Sequence, residues 1–491
     1  MNQASSFPAP STPRDLVMAD ALQLSQWIRL RKISCREVMS AFLDHIERVN
    51  PAANAIVSLR ERAALLAEAG ERDAQLARGD YLGWMHGLPQ APKDLTATAG
   101  IASTQGSPLF RNEIPAADAL MAARMRAHGA IFIGKTNTPE FGLGSHTYNT
   151  VFGTTLNAYD PTRSAGGSSG GAAVALALRM LPVADGSDMM GSLRNPAGWN
   201  NVFGFRPSQG RVPSVPAHDL FFHQLGYAGP MGRSVADVAM LLSTQAGFDA
   251  RAPLSIAEDP AQFAGSLARD FGGTRIGWLG NYDGYLPMED GVLALCESAL
   301  KSFESIGCEV DAAHPGFALE RVWQTWLTLR HFSCAGTLGA LYRDAEKRAR
   351  LKPEAQWEVE GGLKLSGEDV WNASVTRSQW YNALLALFEH YDYLALPSAQ
   401  LFAFDARESW PRSIAGRAMD TYHRWMEVVI GASLAGLPVI SVPAGFNAQG
   451  LPMGLQVIGK PHADLAVLQL AHAYDQATQW VERRVPPALA A

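Results

Sequence analysis

The sequence predicts an α/β protein built as a single large α/β/α domain, with a central mixed β-sheet covered by helices. Short apolar runs bounded by glycine or proline indicate buried strands, and helical patterns lie between them. Hydrophobic residues make up 47% of the chain and charged residues only 18%, which favours a large core over disorder. The sequence shows no internal repeat and no obvious linker between domains.

The elements can be justified in chain order. Ser34 and Glu37 match a capping box, so residues 15–50 are expected to form two amphipathic helices. Residues 118–128 are expected to form a helix that ends at Gly129. The other predicted helices cover 171–180, 290–306 and 465–476, and the predicted strands cover 130–134, 276–279, 393–396, 439–442 and 455–458.

Composition excludes several classes of function. The net charge of -6, from 41 basic and 47 acidic residues, argues against a nucleic-acid binder. No uncharged apolar run reaches about 18 residues, so we expect no membrane-spanning helix. The four cysteines form no CxxC pair and no His-Glu-x-x-His motif is present, so we expect neither a metal nor a cofactor. The N-terminus has no secretory signal pattern, and the expected location is the cytoplasm.

Residues 153–212 are rich in glycine, serine, asparagine and proline. Within them, Gly166–Gly171 reads GGSSGG and leads into the predicted helix at 171–180. Glycines allow close approach to the backbone, and helix N-termini favour negative charge. The pattern also fits the G-x-S-x-G nucleophile elbow, but residues 159–163 before it are not strand-like. A simple turn before a helix is the alternative interpretation.

Three further segments complete a pattern. Lys93 lies in a proline-flanked Pro-Lys-Asp segment, residues 188–194 read DMMGSLR, and residues 204–208 read GFRPS. Ser168 follows Lys93 by 75 residues, and Ser192 follows Ser168 by 24. With GGSSGG, these motifs and spacings resemble the amidase signature family of serine amidases, which use a Ser-Ser-Lys triad. The resemblance covers most of residues 15–475.

Composition and resemblance together predict how the chain is divided. We expect a flexible N-terminal segment over 1–14, an amidase domain over 15–480 with the amidase signature fold, and a C-terminal tail over 481–491. Inside the domain we expect a helical arm at about 15–60, a signature core at about 80–215 and a variable, substrate-selecting region at about 310–430, with a long loop near the site at 402–418.

The resemblance implies a role for each triad residue. Ser192 would be the nucleophile, Ser168 the bridging serine that follows a cis peptide bond, and Lys93 the general base. A serine hydroxyl needs a base to become a good nucleophile, and lysine serves only when neutral. Burial must therefore lower the pKa of Lys93 from about 10.4. A non-catalytic relative acting as an interaction protein is an alternative, which the retained triad argues against.

The resemblance also implies how the nucleophile loop works. Asp188 and Arg194 are expected to pair and hold the loop, and Ser169 to hydrogen-bond within its own loop. Met190 stands where the family usually has glycine, which places an apolar side chain near the acyl site. The expected oxyanion donors are the backbone amides of Met189, Met190, Gly191 and Ser192.

Two sets of residues are candidates for selecting the substrate. One set is aromatic and lies in or near the variable region, where it either packs the core or lines an apolar pocket. Its members are Trp323, Trp326, Trp357, Trp371, Trp380, Trp410 and Trp425. The other set, expected to line the pocket, is His146, Tyr148 and Asn149.

The predicted activity is hydrolysis of a small aryl or alkyl amide, or a related carbamate or ester, through an acyl-enzyme. The expected partner is this small molecule, with no nucleic acid and no membrane, and a homodimer is possible. The alternative is the A subunit of a glutamyl-tRNA amidotransferase complex, which acts as a glutaminase. The Met189–Met190 pair and the aromatic-rich middle region favour the stand-alone amidase.

Overall fold

The computed structural model describes residues 10–222 and 224–490. The α-helices are α1 (Pro13–Met18), α2 (Ala21–Arg29), α3 (Cys35–Ala53), α4 (Arg62–Ala77), α5 (Leu120–Ala127), α6 (Gly170–Ala177), α7 (Arg194–Trp199), α8 (Val235–Gln245), α9 (Val292–Ser305), α10 (Leu319–Arg343), α11 (Ala345–Arg348), α12 (Pro353–Gly362), α13 (Gly367–Phe388), α14 (Ile430–Ala435), α15 (Asp464–Thr478), α16 (Trp480–Arg483) and α17 (Pro487–Ala490). Short 3-10 helices cover Glu140–Gly142, Pro260–Ala264 and Arg424–Val429.

The strands are β1 (Ile56–Val57), β2 (Pro89–Gln90), β3 (Ile131–Phe132), β4 (Lys135–Thr136), β5 (Tyr148–Asn149), β6 (Gly153–Thr154), β7 (Val183–Asp188), β8 (Phe203–Arg206), β9 (Tyr227–Gly232), β10 (Arg275–Trp278), β11 (Glu309–Ala312), β12 (Tyr393–Pro397), β13 (Ser413–Ile414), β14 (Arg417–Ala418), β15 (Val439–Phe446) and β16 (Pro452–Gly459).

An eight-stranded mixed sheet forms the centre of the molecule, in the order β11-β10-β12-β16-β15-β8-β9-β7. Strands β11, β10 and β12 are parallel to one another, and the remaining neighbours are antiparallel. Helices α7, α9 and α15 pack against β15 and β16, which are buried along almost their whole length. The predicted α/β architecture with a helix-covered mixed sheet is confirmed.

The N-terminal region holds three helices where two were predicted. The extended backbone of Ala19 and Asp20 separates α1 from α2, and the left-handed φ of Arg31 follows the end of α2. The capping box at α3 is present: the Ser34 hydroxyl accepts from the Glu37 amide at 3.1 Å, and the Glu37 carboxylate accepts from the Ser34 amide at 2.8 Å. Of the predicted N-terminal segment, residues 1–9 lie outside the described residues.

The glycine-rich region holds more regular structure than its composition suggests. Only one helix was predicted in 153–212, yet β7, β8 and α7 also form there. Strand β7 pairs with β9 from Val183 opposite Gly232 to Asp188 opposite Tyr227. This continuous ladder outweighs the low strand propensity of its Asp and Gly residues. The predicted strand at 130–134 is shorter, and it pairs with β2 outside the large sheet.

Two hydrophobic cores meet beside β7. One surrounds the large sheet and includes Met190, while the other packs the N-terminal helices around α6 and includes Leu193. Helix α6 is buried on all sides, which accounts for its run of small and apolar residues. The C-terminal α17 packs onto the second core through Leu489. Over the described residues, no helix has the length and apolarity to cross a membrane.

Candidate active site

Lys93 lies at the centre of a buried hydroxyl cluster. Its ammonium Nζ is 2.8 Å from Ser168 Oγ and 2.9 Å from Ser169 Oγ. It also lies 3.0 Å from the hydroxyl of Ser187, a residue of β7. The Lys93 backbone amide donates to the Asp185 carboxylate at 3.1 Å, which fixes the segment against the same strand. Hydrogen bonds therefore fix both the backbone amide and the side-chain nitrogen of Lys93, and only 1% of the residue is exposed.

The surroundings of Lys93 make it a usable base. Burial lowers its pKa to about 7, although the negative charges of Asp188 and Asp185 partly oppose the shift. Burial also raises the pKa of Asp185 to about 6, against the influence of the Lys93 amide and of the Lys135 ammonium. Near neutral pH a substantial fraction of Lys93 is thus uncharged, as a general base requires.

Ser168 and Ser169 are positioned by the turn that enters α6. The peptide bond between Gly167 and Ser168 is cis, and Ser169 is the residue before the first turn of the helix. A Cβ on Gly170 would lie 2.3 Å from the Thr147 hydroxyl oxygen, so the close packing of this turn requires glycine there. The Ser169 amide donates to the Ser192 carbonyl at 3.2 Å, which joins the two serine-bearing loops.

Ser192 lies in the turn between β7 and α7, and a buried ion-pair network fixes this turn. Arg194 donates to both oxygens of the Asp188 carboxylate at 2.9 Å, and Arg206 lies 3.5 Å away. Burial alone would raise the pKa of Asp188, but the two guanidinium groups lower it to about 2. Arg194 also donates to the side chain of Gln456 on β16 at 2.6 Å. The predicted Asp188–Arg194 pairing is present, and it extends into the sheet.

Ser192 and Ser168, which were predicted to be the nucleophile and the bridging serine, share one cavity of about 410 Å³. Both Ser168 and Ser192 line it, and each is almost fully buried. Within the described chain, no direct hydrogen bond joins the two hydroxyls. Catalytic hydrogen bonds often form only when substrate is bound, so this geometry is compatible with a relay.

Three of the four predicted oxyanion donors have free amides. The exception is Gly191, whose N–H donates to the Asp188 carboxylate at 2.8 Å, so the structure corrects its assignment. The amides of Met189, Met190 and Ser192 have no hydrogen-bond partner among residues 10–222 and 224–490. Gly191 is instead required for the turn, because its φ is 79° and a Cβ would lie 2.9 Å from Val429.

The residues predicted to line the pocket after Gly144 do not line this cavity. His146 is buried, and its ring bonds to the Ser164 hydroxyl at 2.7 Å and to the Ala406 carbonyl at 3.1 Å. The Asn149 amide donates to the Thr138 carbonyl at 2.8 Å. Tyr148 packs against the His146 ring, away from the cavity lining. These side chains order the loop through their own hydrogen bonds, which the sequence motif does not reveal.

Four of the seven tryptophan candidates follow the packing interpretation, whereas Trp357 and Trp371 are 37% and 70% exposed. Trp323, Trp326, Trp380 and Trp425 are almost fully buried in the larger core. None of the seven lines the cavity. The variable region contributes instead through α10, whose Arg330, Cys334 and Leu338 reach the cavity wall. Sequence analysis missed these residues, and it also missed Ser187 and Asp185, because no motif marks them.

A metal centre was not expected from the sequence. Across the part of the chain that the structure describes, no three His, Cys, Asp or Glu side chains are grouped so that they could hold an ion.

Comparison with known proteins decides the family. The family described as Amidase matches residues 37–468. The chain belongs to the amidase signature family. It is 31% identical to an acylamidase of Rhodococcus erythropolis, over 96% of this chain and 98% of the relative. It is 32% identical to the A subunit of the glutamyl-tRNA(Gln) amidotransferase of Dechloromonas aromatica, over 96% and 99%.

A solved structure supports the same assignment. The structure of a bacterial aryl acylamidase of the amidase signature family superposes with a TM-score of 0.88 at 28% identity, covering 94% of this chain and 96% of that one. Membership of this family makes the protein a hydrolase that acts on carbon–nitrogen bonds. The amidase signature resemblance drawn from Lys93, Ser168 and Ser192 is confirmed at the level of the family.

Proposed function

We propose that this chain is a stand-alone amidase that hydrolyses a small aryl or alkyl amide through an acyl-enzyme on Ser192. The observation that carries the proposal is the 2.8 Å contact between the Lys93 ammonium and the Ser168 hydroxyl, beside Ser192 in one cavity. A buried lysine whose pKa falls to about 7 is partly neutral near pH 7 and can accept a proton from Ser168. This supports a role in proton transfer.

The proposed reaction has two halves. Neutral Lys93 accepts a proton from the Ser168 hydroxyl, which in turn accepts one from Ser192 as its oxygen attacks the amide carbon. For this the Ser192 side chain rotates towards Ser168 when substrate is bound. The carbon–nitrogen bond then breaks, and the leaving amine takes the proton back through Ser168. Water attacks the acyl-enzyme along the same relay, and releases the acid and the free Ser192 hydroxyl.

The negative oxygen of the tetrahedral intermediate needs donors that are already oriented. We assign this role to the free backbone amides of the Met189–Ser192 turn, excluding Gly191, whose amide serves Asp188. The buried Asp188–Arg194 pair fixes the turn before substrate arrives, so little reorganisation is needed during the reaction.

The cavity supports an apolar substrate. Leu95, Phe141 and Leu143 line one part of it, and Met190 and Met426 another. The relatives named as acylamidases are consistent with such a substrate. The similarity to an amidotransferase A subunit keeps glutaminase activity as the second candidate.

Trapping the acyl-enzyme tests the mechanism. Rapid acid quench of the wild-type protein with an aryl amide, followed by peptide mass spectrometry, should show the acyl mass on the peptide that contains Ser192. The Ser192→Ala variant should show no adduct and no turnover. Ser168→Ala is the matched control, because it removes a hydroxyl from the same cavity and should slow acylation without changing the labelled peptide. An adduct on Ser168 would overturn the assignment.

Substrate assays with the chain alone separate the two candidate functions. Release of amines from aryl and alkyl amides, without ammonia from glutamine, is the result expected of a stand-alone amidase. Glutamine hydrolysis that rises when amidotransferase B and C subunits are added would favour the second candidate.

A further inference from the structure

One face of α10 forms a polar wall of the active-site cavity. Arg330, Ser333, Cys334, Thr337 and Leu338 all line it. Their spacing of three and four residues places them on the same side of the helix. Other polar side chains, such as Gln105 and Tyr227, also line the cavity, but among the described residues that line it Arg330 is the only arginine or lysine. This face is therefore where a guanidinium group can distinguish substrates by their hydrogen-bond acceptors.

Arg330 has hydrogen-bonding capacity that the protein does not use. Its Nε donates to the Glu358 carboxylate at 2.5 Å, and one terminal nitrogen donates to the Tyr422 hydroxyl at 2.7 Å. The other terminal nitrogen, Nη1, contacts only the Met189 thioether at 3.2 Å among the described residues. A thioether is a weak acceptor, whereas a guanidinium presents five strong donors. Arg330 is 97% buried, so water cannot freely take the place of the missing acceptor.

The charge of Arg330 is already balanced. Burial alone would raise the pKa of Glu358, but Arg330 and His331 outweigh it and lower that pKa to about 2, so the carboxylate is ionised. The neighbouring His423 is fully buried, and burial lowers its pKa to about 3, so it is neutral. A substrate carboxylate would therefore add an uncompensated negative charge, which is costly to bury. An uncharged oxygen would accept the free N–H groups without that cost.

We propose that Arg330 selects amide substrates that carry an uncharged oxygen acceptor, such as a ketone, ether or second amide carbonyl, on an otherwise apolar group away from the scissile bond. The inference rests on the proposed amidase function, and it narrows the substrate class. Arg330, its contact Met189 and Ser192 line the same cavity, so the selected group and the scissile bond can belong to one small molecule.

Matched substrates test this selection. Two series of amides, one varied in the acyl chain and one in the amine chain, each compare an alkyl chain, the same chain with an internal ketone, and the same chain ending in a carboxylate. A spacer of at least three methylene groups limits the inductive effect of each substituent on the amide. In at least one series the wild-type enzyme should show a kcat/KM about tenfold higher for the ketone than for the alkyl chain, and the carboxylate should be the poorest substrate.

The variant that tests Arg330 must not leave a buried carboxylate unpaired. Arg330→Met is therefore combined with Glu358→Gln, and the readout is the ratio of ketone to alkyl kcat/KM, which should fall close to one. Arg321→Met is the matched control, since Arg321 lies on the same helix and bonds to Gln379 outside the cavity. This control should keep the wild-type ratio.

Each outcome has a distinct meaning. Hydrolysis of alkyl amides with no preference for the ketone in either series overturns the role of Arg330 and leaves the amidase function standing. A preference for the carboxylate overturns the choice of an uncharged acceptor. If the folded wild-type protein hydrolyses no amide of either series, the proposed function fails first. A folded double variant that keeps the ketone preference also overturns the role of Arg330. If the double variant does not fold, an absent preference in the wild type still overturns it.

Discussion

At the scale of single residues, the proposed mechanism depends on the protonation of Lys93. Because burial lowers its pKa to about 7, the active neutral form should increase as pH rises through that value. We expect kcat/KM for an amide to rise about tenfold per pH unit below pH 7 and to level off above it. Lys93→Arg should abolish turnover at every pH, because arginine keeps its proton in proteins. Near-normal turnover in this variant, with an unchanged pH profile, would exclude Lys93 as the base.

The same shift predicts how stability depends on pH. Lys93 has a lower pKa in the folded protein than in the unfolded chain, so between about pH 7 and 10 the unfolded state binds more protons. The free energy of unfolding of the wild type should therefore rise with pH relative to that of Lys93→Met. The stabilisation by Lys93→Met should be largest below pH 7, on the order of a few kcal/mol, and fade towards pH 10. Urea unfolding at a series of pH values measures this; a constant difference would contradict it.

We expect Asp185 to modulate the pKa of Lys93, the proposed base, and a substitution can isolate this effect. Its carboxylate accepts the Lys93 backbone N–H, and its negative charge favours protonated Lys93. Asp185→Asn keeps an acceptor oxygen and removes the charge, so the acid limb of the pH–rate profile should move to lower pH by about one unit. Asp94→Asn is the control, because that buried carboxylate acts on Lys135 instead. If the acid limb of the pH–rate profile does not move in Asp185→Asn, Asp185 has only a structural role.

At the scale of elements, the turn from β7 to α7 contains the rigid, buried Asp188–Arg194 ion pair and the flexible side chain of Met190. Met190 is 3% exposed, belongs to the larger core and lines the cavity. Met190→Ala should lower the free energy of unfolding by about 2–4 kcal/mol and should raise kcat/KM for bulky amides relative to small ones. Met453→Ala is the control: this fully buried methionine lies in the same core outside the cavity. It should cost similar stability and leave the substrate preference unchanged.

Sequence patterns predicted some elements well and others poorly. The capping box at Ser34 and the apolar strands near 393–396 and 439–458 follow local rules, and the structure contains them. Strand β7 carries Asp, Gly and Ser, and it forms only because β9 pairs with it, so no local rule could reveal it. The motif spacing correctly predicted that Lys93 and Ser168 lie in contact.

Residues brought to the site by tertiary packing could not be predicted. Arg330 belongs to the region where the family resemblance is weakest, and Ser187 carries no motif of its own. His146 was assigned to the pocket from its loop position, but its ring satisfies its hydrogen bonds inside the protein. A sequence alone does not show which polar side chains find partners within the fold.

At the scale of the whole molecule, the site lies between two cores joined by the end of one sheet. The proposed mechanism uses the side chains of Lys93, Ser168 and Ser192 together with backbone amides, and it assigns no step to a metal. Exhaustive dialysis against a chelator should therefore leave kcat/KM and Tm unchanged. Loss of activity that returns on adding zinc would contradict this expectation. The homodimer considered from the sequence remains a prediction.

The two hydrophobic cores draw on different parts of the chain, which determines the order in which the ribosome makes their residues. The core around α6 draws almost entirely on residues 16–241, and the core around the sheet on residues 190–481. A ribosome therefore completes Lys93, Ser168 and Ser192 well before it makes the α10 wall with Arg330. The nascent chain therefore contains the proposed catalytic side chains before it contains the surface that is proposed to select their substrate.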